Sequence, residues 1–466
     1  MKEMKKMSFK RSAWKAWMLG ALALTLAACS ASNGGSAENG GSGAPGDGGS
    51  ASGGQNGQKV IAVSVVESNR FLDLAKQKFE AAHPDIRIEI KPAFSTPQSE
   101  SGMARATGFF DPNTLEKYAT TINADLMNGT ASDLLVVDPL PYTKYADKKL
   151  LADMGEFMKD DDRFSPDNYY MNVFDALKYD GGLYGIPYSV SMMVWMGNQD
   201  RLEPLGIRPD RWTWKEFKEK IGTLAQDPSG SPLQWEDPGD WIIERVGAER
   251  NAFIDSDSQT AEFAGQKFID LLEETKSLYD QKFFSQPDVS ISLSGDKAGS
   301  ELSVFFPVRV GDFAAAAIGH LLFANPAIYE VPSESGEQGM SFDAHTMLAI
   351  NNKSPNKQEA WEFLSFLLTD EMQFSPELEG LPVLKKASEA QMEAAKNASV
   401  EGSPKATPEE LNKIHELLSQ VNRFAGLDPK IEAILKEETK PFFTGQKTAE
   451  TVAKSIQNKV NLYLQE

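Results

Sequence analysis

The stretch between Lys59 and Ile90 constrains this chain more than any other. Lys59 to Val66 is a β-branched run that reads as a strand, and the residues behind it place Phe71, Ala75 and Phe79 on one face of a helix. His83-Pro84-Asp85 stops that helix, and Ile86 to Ile90 alternates as a second strand. Strand, helix, strand in that order implies a parallel pair joined by a right-handed crossover. Asp133 to Val137 adds another short apolar strand ending at Asp138-Pro139. Ligands of such sheets gather at the carboxyl ends of the strands.

The same alternation continues. Thr213 with Glu216 three residues on has the spacing of a capping box, ahead of a helix whose apolar side begins with Trp214 and Phe217. Ala360, Phe363, Leu364, Leu367 and Leu368 follow an amphipathic helical period. A last helix from about Thr448 turns Ala449, Val452, Ala453, Ile456 and Val460 inward. No internal repeat is visible, and the fold class is α/β.

The chain opens with six basic residues, Lys2 to Lys15, followed by an apolar run, Ala16 to Ala28, too short to span a bilayer comfortably. Residues 1–28 read as a signal peptide. Its end, Leu26-Ala27-Ala28-Cys29, resembles the lipobox of bacterial lipoproteins, which implies that Cys29 carries a lipid and begins the mature chain. Cys29 is the only cysteine, so no internal disulfide is available. Residues 29–58, the lipidated cysteine and a Gly/Ser-rich stretch, read as a tether, because that composition cannot bury enough apolar surface to offset chain entropy. About 408 residues follow it, more than one core usually serves, so two globular units are expected. The net charge is −20, and losing the leader's six bases and Glu3 makes it −25. Such a surface argues against nucleic acid and polyanionic ligands.

Three blocks resemble the family 1 extracellular solute-binding proteins of bacterial ABC importers, the group that includes maltose-binding protein. The first is Leu183-Tyr184-Gly185-Ile186-Pro187-Tyr188, then Asn198-Gln199-Asp200 and Trp212-Thr213-Trp214-Lys215-Glu216-Phe217. The second runs from Leu348-Ala349-Ile350 through Ser354-Pro355-Asn356-Lys357 and Ala360-Trp361-Glu362-Phe363-Leu364 to Gly380-Leu381-Pro382-Val383. The third is Thr444-Gly445-Gln446-Lys447-Thr448. Gly197 departs from the pattern, since the family usually has tyrosine before that asparagine. Agreement is also weak over residues 95–130 and 230–300.

The resemblance implies a two-lobed periplasmic-binding-protein fold of type II character, each lobe a mainly parallel sheet flanked by helices, with the ligand cleft between them. It places residues 59–188 plus 344–388 in one lobe and 193–343 plus 393–466 in the other. The crossings would fall near Ser189 to Met193, Asp343 to His345 and Lys385 to Met392. It further implies capture of a sugar or oligosaccharide by hinge closure, delivery to a membrane permease, and a monomer anchored on the extracellular face of the cell membrane.

Several residues are candidates to touch the solute. Glu67 and Ser68 end the first strand and Asp138 ends another, so each can exchange hydrogen bonds with hydroxyls, or serve as a helix cap or loop residue. Tyr188 and Ser189 stand at the expected hinge. Trp195, Trp235 and Trp241 have the apolar faces that sugars stack on, with core packing as the rival reading, stronger for Trp195 in its apolar strand than for the other two in a polar, proline-rich loop. Arg309 is expected in a turn after the strand Leu302 to Phe306, where the resemblance puts a ligand contact, or paired with Asp312. Phe342, Asp343 and His345 lie near the second crossing.

The sequence points to no cofactor: the four histidines are scattered, and Asp255 and Asp257 lack the glycine and terminal glutamate of a calcium loop. No phosphate-binding glycine loop and no Gly-x-Ser-x-Gly elbow is present. A tethered carbohydrate-active enzyme and a sensory lipoprotein stay open as alternatives. So do polyamine, peptide and iron ligands, with Tyr169-Tyr170 the only hint of the last.

Overall fold

A computed structural model describes residues 58–94, 112–208, 212–222, 231–235, 237–255, 258–285, 303–333, 339–397 and 405–465. The leader, Cys29 and nearly all of the tether, and also Leu302 and Asp257, lie outside them. Asn69 starts the first helix, Arg70–Ala82, by accepting a hydrogen bond from the Leu72 amide at 2.8 Å. The strands on either side, Lys59–Val65 and Ile86–Pro92, pair in parallel. Lys59–Val65 also pairs in parallel with Leu134–Val136, and the sheet is completed by Met347–Ile350 and Ile186–Pro187, both antiparallel to their neighbours.

One buried carboxylate ties this sheet together. Asp133 accepts from the Ala62 amide at 2.8 Å, the Ser354 hydroxyl at 2.6 Å and Asn356 at 3.2 Å. Three donors to one carboxylate offset its removal from water. Against the sheet, Phe79 is fully buried and meets Phe363 of the helix Lys357–Leu367 edge-on, with ring centres 5.2 Å apart. Burying such a ring stabilises the fold by about 3 kcal/mol.

The second lobe is built on a six-strand path in the order Phe284–Ser285, Ser231–Gln234, Ser303–Val310, Ser189–Asn198, Met340–Ala344 and Val421–Phe424. Its outer pairs are parallel, whereas the long strand Ser189–Asn198 runs antiparallel to every strand beside it. The helices Pro238–Ala248, Gln266–Asp280, Pro429–Phe443 and Ala449–Leu464 share an apolar core that includes Phe263, Phe268, Leu435 and Ile456. Thr213 and Glu216 form the capping box on the helix Trp214–Ile221.

The long strand begins where the first sheet ends. Ile186–Pro187 belongs to the first sheet, while Val190 and Ser191 face Ala344 and Asp343, and Ser189 and Val190 face Pro382 and Leu381. The Ser189 hydroxyl donates to the Glu379 carbonyl at 2.5 Å. Gly380 has φ +99°, and a Cβ there would lie 2.6 Å from Ser189 Oγ and 2.8 Å from His345 Cδ2. Three chain segments thus run side by side here, packed too tightly at Gly380 for any side chain.

Candidate ligand cleft

The first wall of the cleft grows out of the strand Leu134–Val136. The Val137 amide donates to the Met347 carbonyl at 2.7 Å, and Asp138 then accepts from the Met347 amide at 2.8 Å. Pro139 and Pro141 turn the chain into the short helix Tyr142–Asp147, which brings Tyr142, Lys144 and Asp147 to the opening. The Tyr179 hydroxyl donates to Asp147 at 2.8 Å and so stands on the same wall.

The opposite wall comes from two helices that start the same way. Asp237 caps Pro238–Ala248 through the amides of Gly239 and Asp240, and Asp428 caps Pro429–Phe443 through the amide of Lys430, each with proline in the first turn. They present Glu244 and Asp428 to the opening, joined by Arg250. Met193, Met340 and Phe424 line it from the sheet, and Trp214 lines it beneath the Arg245 guanidinium, 4.0 Å from the ring centre. The enclosed volume is about 850 Å³, within the range of small-molecule sites.

Burial dominates the electrostatics. It pushes the Asp138 carboxyl up to about 7, against the hydrogen bond from Met347. It raises Glu432 to about 7 as well, helped by the charges of Asp428, Glu244 and Asp240. Burial also raises Glu244, opposed by Arg309 and Arg245, and Asp428, opposed by the Tyr463 hydroxyl. The cleft therefore offers hydrogen-bond donors, acceptors and aromatic faces together. Among the described residues no group of three or more His, Cys, Asp or Glu can hold a metal ion.

Of the residues singled out from sequence, Asp138 lines this cavity and the others lie elsewhere. Glu67 is half-buried beyond the first strand, and Ser68 hydrogen-bonds Asp73 at 3.0 Å. Tyr188 is buried, receives a bond from Asn69 at 3.2 Å and packs on Phe71, and burial pushes its hydroxyl up to about 12. Ser189 is buried, with its hydroxyl held by the Glu379 carbonyl. Trp195 is 1% exposed, ringed by Trp212, Trp214, Phe217 and Phe305.

Two readings of local structure need correction. Trp241 is not in a loop: it lies inside the helix Pro238–Ala248, is 3% exposed and packs against Trp214, Trp235 and Phe284, with Trp235 half-buried beside it. Arg309 does not follow a strand but belongs to one, because Ser303–Val310 continues through Pro307. The parallel pairing with Ser231–Gln234 ends at Phe305, so Pro307 lies beyond that ladder. Arg309 forms an ion pair with Asp343, not with Asp312, which caps the next short helix through Ala315. Phe342 is fully buried against Phe424, and burial, then the Arg309 charge, holds the His345 imidazole below its usual range.

Sequence reasoning passed over Tyr142, Lys144, Tyr179, Glu244 and Asp428. Tyr142 and Lys144 follow directly on Asp138-Pro139, so the strand-end rule that singled out Asp138 extends to them. Asp428-Pro429 carries a helix-start signal. Glu244 sits mid-helix and carries no local signal.

Residues 64–374, well over half of the chain, match the family described as bacterial extracellular solute-binding protein. Among solved structures, the sugar-binding protein MalE from Xanthomonas citri is similar at TM-score 0.60 and 15% identity, covering 87% of this chain and 98% of that one. A periplasmic oligogalacturonide-binding protein from Yersinia enterocolitica matches at 0.59 and 15%, covering 87% and 99%. An ABC substrate-binding protein from Listeria monocytogenes in complex with cycloalternan matches at 0.56 and 19%, covering 88% and 99%. The fold is thus the two-lobed one of such proteins, and the chain belongs to the family of bacterial extracellular solute-binding proteins.

Proposed function

We propose that this protein captures a carbohydrate, most simply an oligosaccharide, in the cleft between its lobes and passes it unaltered to an ABC permease. The observation that carries the reading is the 850 Å³ cavity walled by polar and aromatic side chains from both lobes. Hydroxyls need donors and acceptors together, and the C–H face of a sugar needs an aromatic ring. Asp138, Lys144 and Glu244 supply the polar contacts, and Tyr142, Tyr179 and Phe424 the rings. The structural neighbours named above include proteins whose ligands are oligogalacturonide and cycloalternan, which supports the choice of class.

Closure about Ser189 to Ser191 holds the solute, because a ligand shifts an open-to-closed equilibrium only by binding one form better. In this reading the lobes are residues 59–188 plus 344–388 and residues 193–343 plus 393–466, as the family resemblance implies. Arg309, Asp343 and His345 then act at the hinge. Lipid on Cys29 keeps a monomer at the outer face of the membrane, where the tether raises its local concentration near the permease. Calorimetry of the purified protein against a panel of glycans tests the ligand class. Micromolar heats that disappear in Tyr142→Ala are expected, and silence across the panel would remove carbohydrate from the proposal. Mass spectrometry of the mature N-terminus tests the anchor, and an unmodified Cys29 would refute it.

A further inference from the structure

One set of contacts spans the cleft itself. Lys144, on the first wall, donates to the main-chain carbonyl of Tyr463 at 2.7 Å and lies 4.5 Å from the centre of the same ring. Tyr463 belongs to the helix Ala449–Leu464 of the second lobe. Its hydroxyl donates to Asp428 at 2.5 Å, and the Lys144 charge acts on Asp428 as well. Farther out, Lys430 and Glu116 approach to 3.3 Å across the same gap.

We infer that Lys144, Tyr463 and Asp428 form a clasp that holds the lobes together before any solute arrives. Lys144 engages a carbonyl and an aromatic face of the second lobe at once in a partly buried place, where charge-assisted bonds are stronger than in water, and its charge also bears on Asp428. The Lys430–Glu116 pair is exposed on both sides and adds little. Rotation about Ser189 to Ser191 would carry the helix Tyr142–Asp147 away from the helix Ala449–Leu464 and break both Lys144 contacts together, while the Tyr463–Asp428 bond stays within the second lobe. The clasp therefore biases the solute-free chain toward the closed arrangement, which raises apparent affinity by enlarging the competent fraction. It also makes opening the step that admits solute.

The test needs no solute, so its failure is distinct from failure of the carbohydrate reading. Glu89 and Glu273 are exposed positions on the two lobes. Spin labels on Glu89→Cys and Glu273→Cys, in the full chain with Cys29→Ser, report the interlobe distance by pulsed electron resonance. The expected result is a predominantly short distance without solute. Lys144→Met, which keeps the stem and removes the charge, should raise the open-to-closed ratio about tenfold, and Tyr463→Phe should raise it less. A long distance in the solute-free wild type overturns the proposal even if neither variant folds. So does an unchanged distribution in a Lys144→Met protein whose thermal unfolding shows it to be intact.

Discussion

Replacing Asp138 by asparagine tests the electrostatic description of the cleft at one position. The carboxyl rises from an ordinary 3.8 to about 7 through burial, which corresponds to ~4 kcal/mol between its two protonation states. The folded chain holds this proton more tightly than the unfolded chain. Below about pH 3 the group is neutral in both and its charge costs nothing. Between about pH 4 and 7 the unfolded chain releases the proton first and stability falls, and above that the penalty is constant. Asparagine keeps an acceptor for the Met347 amide and never ionises. Its stability in urea titrations should match the wild type near pH 3 and exceed it by a margin that grows to pH 8, reaching at most ~4 kcal/mol. Among the described residues no neighbouring charge contributes to the Asp138 shift, and the tyrosines its charge acts on, Tyr118 and Tyr188, titrate well above this range, so other titrations largely cancel in the difference. A gap that is flat with pH, or a variant that weakens as pH rises, would refute the reasoning.

Glu432→Gln should show the same sign, a gain in urea midpoint over the wild type appearing as pH passes upward toward 7, since burial and then the charges of Asp428, Glu244 and Asp240 raise that carboxyl to about 7. Gly380→Ala should destabilise by about 3 kcal/mol in denaturant titrations, because the left-handed backbone and the approach to Ser189 and His345 both resist a methyl group. Phe79→Ala should cost about 4 kcal/mol, as Phe363 and Phe366 would face a cavity. It should leave the solute-binding heats per folded molecule unchanged.

What the sequence discloses about this protein is what lies close together along the chain. The strand, helix, strand opening was legible because burial alternates within a few residues, and Thr213 with Glu216 because a capping box is three residues long. Asp138 was found because the end of a strand is a local event. Trp241 was misplaced for an equally local reason: Asp237, Pro238 and Asp240 suit a loop, yet an aspartate cap followed by proline is also how a helix begins. Gly197, the departure from the family pattern, finds its explanation far away. A Cβ there would meet the Tyr329 ring at 2.4 Å, so an aromatic ring from a separate strand already occupies the space beside it. The cleft follows the same rule. Its two walls come from segments far apart in the chain, and Lys144 meets Tyr463 across 319 residues. No periodicity or spacing records such a meeting, so one wall could be anticipated from its strand ends while its pairing with the other had to be seen in three dimensions.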